Sequence, residues 1–481
     1  MKKYLKFCAC LFAALFIFCA CAKTEEQVPE TEDPKVTEEP KEEPKEEPKE
    51  EPKEEPKEEP KEEPKEEPKE EPKEEPKKEP EKKIGYNEDS SIEYLDLPVV
   101  VLETEAGAPV VSKTEYLECS VTVSNAEEKY CMTGATAKVR GRGNTSWNQP
   151  KKSYRLKFSE KTDFFGNGKA KTWALIANYA DKSMLRNSLA YALGREFEDS
   201  LYTTNTQFID LYLNGEYLGV YLVCEHTEAG QTRGDVEDLA ENPEDSGYLV
   251  EMDGGSDEFE DTGEFFVIAD RMYAIKDPYF EEEEFTSAHY EYIYNYFSTS
   301  YEALFSSDYA LICSLLDVST FADTYIVSEL FNNVDCGDRS VYFYKRANGP
   351  LCSGPIWDFD VSAGNVDYRE GCENPETLYA AGASTWYGQL LQFEEFRSLV
   401  AEKIKRYFKP FKEIIESEIE GAKTMQASAE RNFEKWQVMG EYIWPNTPEI
   451  VAIDTWVGQI DYLKEWLFKS WDFMYSVYVT E

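Results

Sequence analysis

Short runs in which apolar and polar residues alternate dominate the chain from residue 92 to about residue 280. Alternation with a period of two is typical of β-strands that bury one face. The runs are LPVVVLET (97–104), ECSVTVS (118–124), KKSYRLKF (151–158), GYLVEMD (247–253), FFVIAD (265–270) and MYAIKD (272–277). A further stretch, 208–225, predicts a hairpin around Asn214 and Gly215, since Asn-Gly is the strongest short turn signal. This part of the chain therefore predicts a mostly antiparallel sheet.

Helical spacing of apolar residues appears once in this region, at 181–197, where Asp181 is a natural N-cap. After residue 281 it becomes the rule, with aromatic-rich helical patterns at 286–305 and 319–332 and almost continuously after residue 385. The segment 332–360, which interrupts the helical patterns, has the pattern loop, strand, turn, strand. The chain is thus expected to be an α+β protein, and its plan is that of a two-lobed protein-kinase-like fold. The β-rich N-terminal lobe would span about 92–280 and the helical C-terminal lobe about 281–481.

The first 21 residues indicate an extracytoplasmic protein. Three lysines precede the apolar run LFAALFIF (11–18), which is short for a membrane span, and Ala20 precedes Cys21. This order is typical of a bacterial lipoprotein signal with cleavage before Cys21 and a lipid on its sulfur. The alternative is an ordinary signal peptide that is cut nearby. In the first case the protein is anchored to the cell membrane or surface through Cys21.

Residues 22–83 form a low-complexity segment in which the unit EEPK occurs ten times in succession, from Glu38 to Lys77. A proline at every fourth position prevents a continuous helix, and the segment has almost nothing apolar to bury. We expect a disordered, extended linker that holds a folded domain, residues 84–481, away from the membrane.

The net charge of −45 changes the range of expected partners. An acidic surface makes nucleic acid a poor partner and favours basic peptides or divalent cations. Only two histidines are present, which argues against a zinc site or a histidine-based triad. Seven cysteines lie in the body; Cys119 with Cys131, and Cys336 with Cys352 or Cys372, are conceivable bridges.

Two carboxylates lie close together in GPIWDFDVSAGN (354–365). If this run is a strand, Asp358 and Asp360 point to one side while Trp357 and Phe359 point to the other. Like charges at this spacing are unfavourable unless a cation or several donors compensate them. Magnesium is such a cation, because it accepts one or two carboxylates together with phosphate and water.

Other segments supply the remaining parts that phosphoryl transfer requires. A glycine-bearing basic turn, KVRGRGNTSW (138–147), leads towards the strand 151–158. In that strand Lys152 shares a face with the apolar residues. The opposite face, which is expected to meet water, carries Lys151, Ser153, Arg155 and Lys157. Asp335 is expected in a loop before a hairpin, and the second strand of that hairpin is predicted to carry Asp358 and Asp360.

At these residues the sequence resembles the CotH-like kinase family, named for spore-coat protein H and built on an atypical protein-kinase-like fold. The segments that carry the resemblance are RGRGNTSW, KKSYRLKF, DKSMLRNSLA, YLNGEYLGVYLVCE, AIKDP, ELFNNVDCGDRSVYFYK and GPIWDFDVSAGN. The resemblance implies an enzyme that uses ATP and Mg²⁺ to phosphorylate Ser or Thr of a protein substrate.

The resemblance also implies roles for the acidic residues. Asp335 takes the role of the catalytic-loop aspartate that orients the acceptor hydroxyl, and Asp358 and Asp360 take the role of metal ligands. Five residues after the catalytic aspartate a kinase loop has a metal-binding Asn; this chain has Ser340 there, whose hydroxyl is a third candidate metal ligand.

Among the basic residues, Lys152 is implied to bind phosphate, and Arg140 and Arg142 are candidates to reach phosphates as well. Structural roles remain open for each of them: Lys152 could pair with a carboxylate of the sheet, and Arg142 could stabilise the turn. Glu251 and Asp253 show the same alternation as the acidic pair but are expected on a solvated face.

Two other functions remain open, because ATP is scarce outside the cytoplasm. The first is a non-catalytic kinase-like scaffold that binds glycans or proteins of the cell envelope. The second is a metal-dependent hydrolase that uses the same three carboxylates.

Overall fold

The computed structural model describes residues 92–197, 202–228, 236–254, 265–278 and 284–479. All of them belong to one compact unit, Lys77–Glu481. The expected signal peptide, the linker and the lipidation site Cys21 lie outside the described residues.

Seven strands close into a barrel in the order β1-β2-β3-β4-β5-β7-β6. Neighbouring strands are antiparallel, except that β1 and β6 pair in parallel and so close the barrel. The strands are β1 (Val99–Thr104), β2 (Leu117–Ser124), β3 (Met132–Arg142), β4 (Ser153–Asp163), β5 (Lys169–Ile176), β6 (Thr206–Leu213) and β7 (Glu216–Glu225). The β6–β7 hairpin turns at Asn214 and Gly215, both with positive φ, which confirms the turn predicted from the sequence.

The barrel is filled by its own side chains. On β4, the alternate residues Tyr154, Leu156 and Phe158 are buried in its apolar interior. Ser153 and Arg155 point to the outer side of the barrel wall, as the period of two requires. Because the interior is packed, any ligand site on this strand must lie on the outer face.

A second sheet has five strands in the order β12-β11-β8-β10-β9, all antiparallel. Its strands are β8 (Tyr248–Met252), β9 (Phe265–Ile268), β10 (Arg271–Asp277), β11 (Val341–Lys345) and β12 (Leu351–Ser353). The sheet thus combines strands from both sides of residue 281, with β8 pairing both β10 and β11.

Ten α-helices lie within the described ranges, all but one of them after residue 284. They are α1 (Arg186–Glu196), α2 (Ser287–Ala303), α3 (Tyr309–Leu315), α4 (Val318–Leu330), α5 (Ala380–Ala383), α6 (Thr385–Leu390), α7 (Glu394–Lys423), α8 (Gln426–Lys435), α9 (Pro448–Ala452) and α10 (Trp456–Tyr478). Apolar residues of most of these helices form the larger hydrophobic core together with residues of the second sheet and of β5 and β7. In the part of the chain that is described, no helix combines the length and apolar character needed to cross a membrane.

The α+β class is confirmed, with a strand-rich N-terminal region and a helical C-terminal region. Helix α1 begins at Arg186 rather than just after Asp181, because a turn with Met184 at φ 64° separates them. Asp181 still accepts a hydrogen bond from the Arg186 backbone N–H at 2.9 Å. The proposed cysteine bridges are wrong, since all seven described cysteines are free thiols.

Candidate active site

A cavity of about 320 Å³ lies on the outer face of the barrel. Its walls come from the turn after β3, the first residues of β4, strands β8 and β10 of the second sheet, and two irregular segments on either side of the β11–β12 hairpin. Asp335, Asp358 and Asp360 all line it, together with Ser340 and Arg142. The fold therefore gathers five of the residues that the sequence singled out.

The two carboxylates do not lie on a strand. β12 ends at Ser353, and the chain continues to residue 360 without strand pairing, so the prediction of a strand over this segment is wrong. Asp358 has φ 61°, an uncommon conformation for a residue with a side chain. Both aspartates line the cavity and Phe359 is buried away from it, but Trp357 lines the cavity as well, so the expected separation of apolar and acidic side chains holds only for Phe359.

The carboxyl groups of Asp358 and Asp360 are close enough to form a hydrogen bond with each other. Burial raises the pKa of Asp360 well above its usual range, and the charges of Asp358, Asp181 and Asp335 raise it further. Two carboxyl groups in this contact need either a shared proton or a cation between them.

Asp335 belongs to the tight loop that follows α4. Its backbone carbonyl accepts hydrogen bonds from the N–H groups of Asp338 (3.1 Å) and Arg339 (2.9 Å). Burial raises the pKa of Asp335 to about 7, with a further increase from Asp358 and an opposing effect from Arg339. Ser340 closes the loop at φ 50°, and its hydroxyl donates to Asp358 Oδ2 at 3.4 Å.

The predicted basic residues divide into two groups. Arg142 lines the cavity, with its guanidinium 5.5 Å from the ring centre of Trp357. Arg140 is not a lining residue; it is buried with its guanidinium 5.1 Å from the ring of Tyr116. Lys152 is not a lining residue either, because its ammonium donates to the Trp147 carbonyl.

The adjacent Lys151 lines the cavity instead and is almost completely buried, contrary to the expectation that its side of the strand meets water. Its ammonium donates to the carbonyl oxygens of Ala177 (2.8 Å) and Val220 and to Asn432 Oδ1 (2.9 Å). Three acceptors satisfy the three N–H groups of a lysine, so these contacts describe a structural role joining the barrel to α8.

Arg155 is a cation of the cavity that was not predicted. It lies directly across from Arg140 in the β3–β4 ladder, and its buried Nε has no hydrogen-bond partner among the described residues. Two arginines opposite each other are unfavourable unless an anion compensates them. Arg155 therefore adds positive charge to a cavity that carboxylates also line.

The second sheet contributes an ion pair to the cavity wall. Lys276 on β10 lies 2.7 Å from Glu251 on β8, and the Tyr342 hydroxyl donates to Glu251 Oε1 at 2.6 Å. Asp253 also lines the cavity and is buried. The expectation of a solvated face for Glu251 and Asp253 is wrong, because both side chains are buried in the cavity wall.

The donor set fits Mg²⁺ bound together with phosphate. Two adjacent carboxylates, a third one nearby and a hydroxyl are the hard oxygen ligands that this ion accepts, with phosphate and water supplying the rest. Among the described residues, no group of three or more His, Cys, Asp and Glu side chains is arranged to hold a metal ion. An ion at this site would therefore depend on phosphate and water for its remaining ligands. Asp358 and Asp360 are the residues that would hold the ion.

Comparison with known proteins identifies the family of the chain. The family model of the CotH kinase protein matches residues 139–474, a span that includes every lining residue discussed above. No curated protein matches the chain. Since the match covers more than two thirds of the sequence, the chain belongs to the CotH kinase family.

Proposed function

We propose that this protein is a Mg²⁺-dependent kinase that transfers the γ-phosphate of ATP to a Ser or Thr hydroxyl of a protein substrate. The observation that carries the proposal is the lining of one cavity by Asp335, Asp358 and Asp360 together with several cations. Catalysis of phosphoryl transfer consists mainly of positioning and charge compensation, which are the properties of such a cavity.

In this mechanism Asp335 orients the acceptor hydroxyl and accepts its proton. A carboxyl group whose pKa is about 7 is well suited to take up a proton near neutral pH. Its loop is fixed by the backbone hydrogen bonds to Asp335 O, so the carboxylate is presented from a tight turn. Arg339, four residues later, lies beside it at the cavity rim.

The phosphates would be held from two sides. Asp358 and Asp360 would hold Mg²⁺, which would supply positive charge to offset that of the phosphates. Arg142 and Arg155 contribute positive charge from the barrel, and Lys276 contributes it from the second sheet. Ser340 stands where a kinase loop has Asn; its hydroxyl touches Asp358 and can support the same metal.

The barrel and the other strands before residue 281 would then act as the N-terminal lobe of a two-lobed kinase-like fold, and the chain after residue 281, including β11 and β12, as its C-terminal lobe. We further propose that the domain spans residues 84–481 and stands on the 22–83 linker, with a lipid on Cys21 outside the cytoplasm. The acidic surface favours a basic protein substrate and disfavours nucleic acid.

Two variants of the full chain test the proposal. Asp358→Ala removes a ligand of the metal, so Mg²⁺-ATP affinity measured by calorimetry should fall by about tenfold or more. Asp335→Asn keeps the shape of the side chain and the metal ligands, so it should bind Mg²⁺-ATP normally while transfer of labelled phosphate to a basic Ser peptide falls by about 100-fold or more.

Both variants are compared with Asp367→Asn, an exposed carboxylate close in sequence that does not line the cavity. Equal Mg²⁺-ATP affinity in wild type and Asp358→Ala would refute the metal assignment. Unchanged transfer by Asp335→Asn would refute its role as base.

A second candidate function rests on an aromatic pair at the cavity mouth. Tyr368 and Trp444 stack with ring centres 5.3 Å apart and an interplanar angle of 18°, and both remain exposed, by 44% and 40%. An exposed aromatic pair beside a polar cavity also suits a non-catalytic scaffold for envelope glycans. Glycan binding without any affinity for Mg²⁺-ATP would favour this alternative.

A further inference from the structure

The segment that carries the two carboxylates is held by side chains of α1 rather than by a strand ladder. The backbone N–H of Phe359, which separates Asp358 from Asp360, donates to Asn187 Oδ1 at 2.7 Å. Asn187 is completely buried. Its amide Nδ2 in turn donates to Asn178 Oδ1 at 3.4 Å, so the amide is oriented from its other end.

Tyr191, one helical turn after Asn187, supports the same segment. Its hydroxyl oxygen accepts a hydrogen bond from the Asp358 backbone N–H at 3.3 Å, and its ring stacks on Trp357 at 5.9 Å and 19°. The hydroxyl lies 3.4 Å from Asn187 Oδ1 and donates to it. Consecutive backbone N–H groups of the acidic segment are therefore fixed by two linked side chains on one face of α1.

Arg186 fixes the far end of the segment. Its Nε donates to the Ser362 carbonyl at 2.9 Å and its Nη2 to the Ala363 carbonyl at 3.0 Å, while Asp181 pairs with its Nη1. Asp360 thus lies between Phe359, which is bound by Asn187, and Ser362 and Ala363, which are bound by Arg186. The spacing of the carboxylates thus depends on α1, although α1 itself contributes no residue to the cavity lining.

The hydrogen bonds from α1 are needed because the conformation of the 358–360 segment is unfavourable by itself. Asp358 has a positive φ, which a residue with a Cβ adopts at a cost, and two carboxyl groups in contact repel each other when both are charged. Without fixed hydrogen bonds to its backbone, the segment would relax by moving the carboxylates apart. Metal ligands need such support, because the residues that orient them control affinity nearly as strongly as the ligands do.

We propose that Asn187 is the positioning residue of the metal site: through the Phe359 N–H it sets the distance between the carboxylates of Asp358 and Asp360. The proposal rests on the assignment of these two aspartates as metal ligands. Asn187 touches neither the metal nor the substrate, so its effect is on the geometry of the ligands rather than on the chemical step.

The test uses Asn187→Leu in the full chain, which keeps the size of the side chain and removes the acceptor of the Phe359 N–H. Mn²⁺ in the presence of ATP is the probe, because phosphate supplies further ligands, and its affinity for the protein is measured by electron paramagnetic resonance. We expect the affinity to fall by about 10- to 100-fold, the range seen when a residue that orients metal ligands is replaced. Hydrogen exchange should become faster in a peptide covering 357–363 and stay unchanged in the barrel strands.

Two control variants on the same helix separate positioning from stability. Ser188→Ala removes a buried hydroxyl that donates only to the Leu185 carbonyl within the helix, and Leu189→Ala removes core volume about half a turn away from Asn187. Leu189→Ala should lower the melting temperature at least as much as Asn187→Leu, yet both controls should bind Mn²⁺ like wild type.

Each outcome is decisive. Normal Mn²⁺ affinity in Asn187→Leu, or an equal loss in Leu189→Ala, would overturn the positioning role while leaving the kinase proposal intact. If wild type itself bound no Mn²⁺ in the presence of ATP, the metal assignment and the positioning role would both fail.

Discussion

Lys276 Nζ on β10 lies 2.7 Å from Glu251 Oε2 on β8, and the two side chains are only 11% and 6% exposed. The pair joins neighbouring strands at the wall of the cavity, and the Tyr342 hydroxyl satisfies the other oxygen of Glu251. A lysine held in this way presents its charge from a fixed position, as kinases achieve with a lysine–glutamate pair.

Removal of one partner of this buried pair should be strongly destabilising. Glu251→Gln leaves the Lys276 ammonium without its counter-charge, and the free energy of unfolding should fall by about 3–5 kcal/mol in urea titrations. Glu118→Gln, which breaks the exposed pair with Lys138, is the control and should cost ~0–1 kcal/mol. Similar losses of unfolding free energy in the two variants would show that the buried pair stabilises the protein no more than the exposed pair does.

Arg155 should increase the affinity for an anionic ligand without stabilising the folded protein. Arg155→Gln removes a cavity cation and also relieves its repulsion with Arg140, so ATP affinity should fall by about tenfold while the melting temperature stays equal or rises.

Lys157→Gln is a matched control for this prediction, because Lys157 lies on the same strand opposite another lysine, Lys138, but does not line the cavity. It should leave ATP affinity unchanged. Equal affinities of wild type and Arg155→Gln would remove Arg155 from the ligand site.

Lys151 should make the stability depend on pH. Burial lowers its pKa to about 7 from an ordinary value of 10.5, so above pH 7 the unfolded chain binds more protons at this group than the folded one. The Lys151 contribution to the free energy of unfolding should therefore rise with pH, by about 2 kcal/mol between pH 7 and pH 9.

The measurement compares urea unfolding of wild type and Lys151→Met at pH 7, 8 and 9. The difference between them should grow with pH, whereas the exposed Lys161→Met should run parallel to wild type. A constant difference for Lys151→Met would mean that the three carbonyl acceptors keep the ammonium charged throughout this range.

The EEPK segment should contribute nothing to the stability of the folded body, because it has no apolar groups to bury. Limited proteolysis should trim the chain to between about residue 84 and residue 92 and leave the melting temperature unchanged. A trimmed protein that melts much lower would show that the linker takes part in the fold.

Cys21→Ser tests the anchor in a bacterial host. If Cys21 carries the lipid, the variant should move from the membrane fraction to the periplasm or the medium. A variant that still fractionates with membranes would place the anchor elsewhere.

Local patterns in the sequence determined several features of this protein by themselves. The alternating runs predicted most strands, Asn214-Gly215 predicted the β6–β7 turn, and the order of the motifs around Asp335 and Asp358 indicated the family. These signals are local or depend only on order along the chain, so they need no knowledge of what packs against what.

Only the tertiary structure decided which face of each strand meets the cavity. The period of two places Lys151 and Arg155 on the opposite face of the strand from Lys152, but it does not say which face is covered by the rest of the protein. In this barrel wall both faces are covered. The same holds for Glu251, whose burial depends on Lys276 from another strand. Nor could the local pattern show that Asp358 and Asp360 lie on an irregular segment, because its conformation is fixed by side chains of α1 more than 160 residues earlier in the chain. Burial and hydrogen bonding of this kind arise from contacts between distant parts of the chain, which local alternation does not encode.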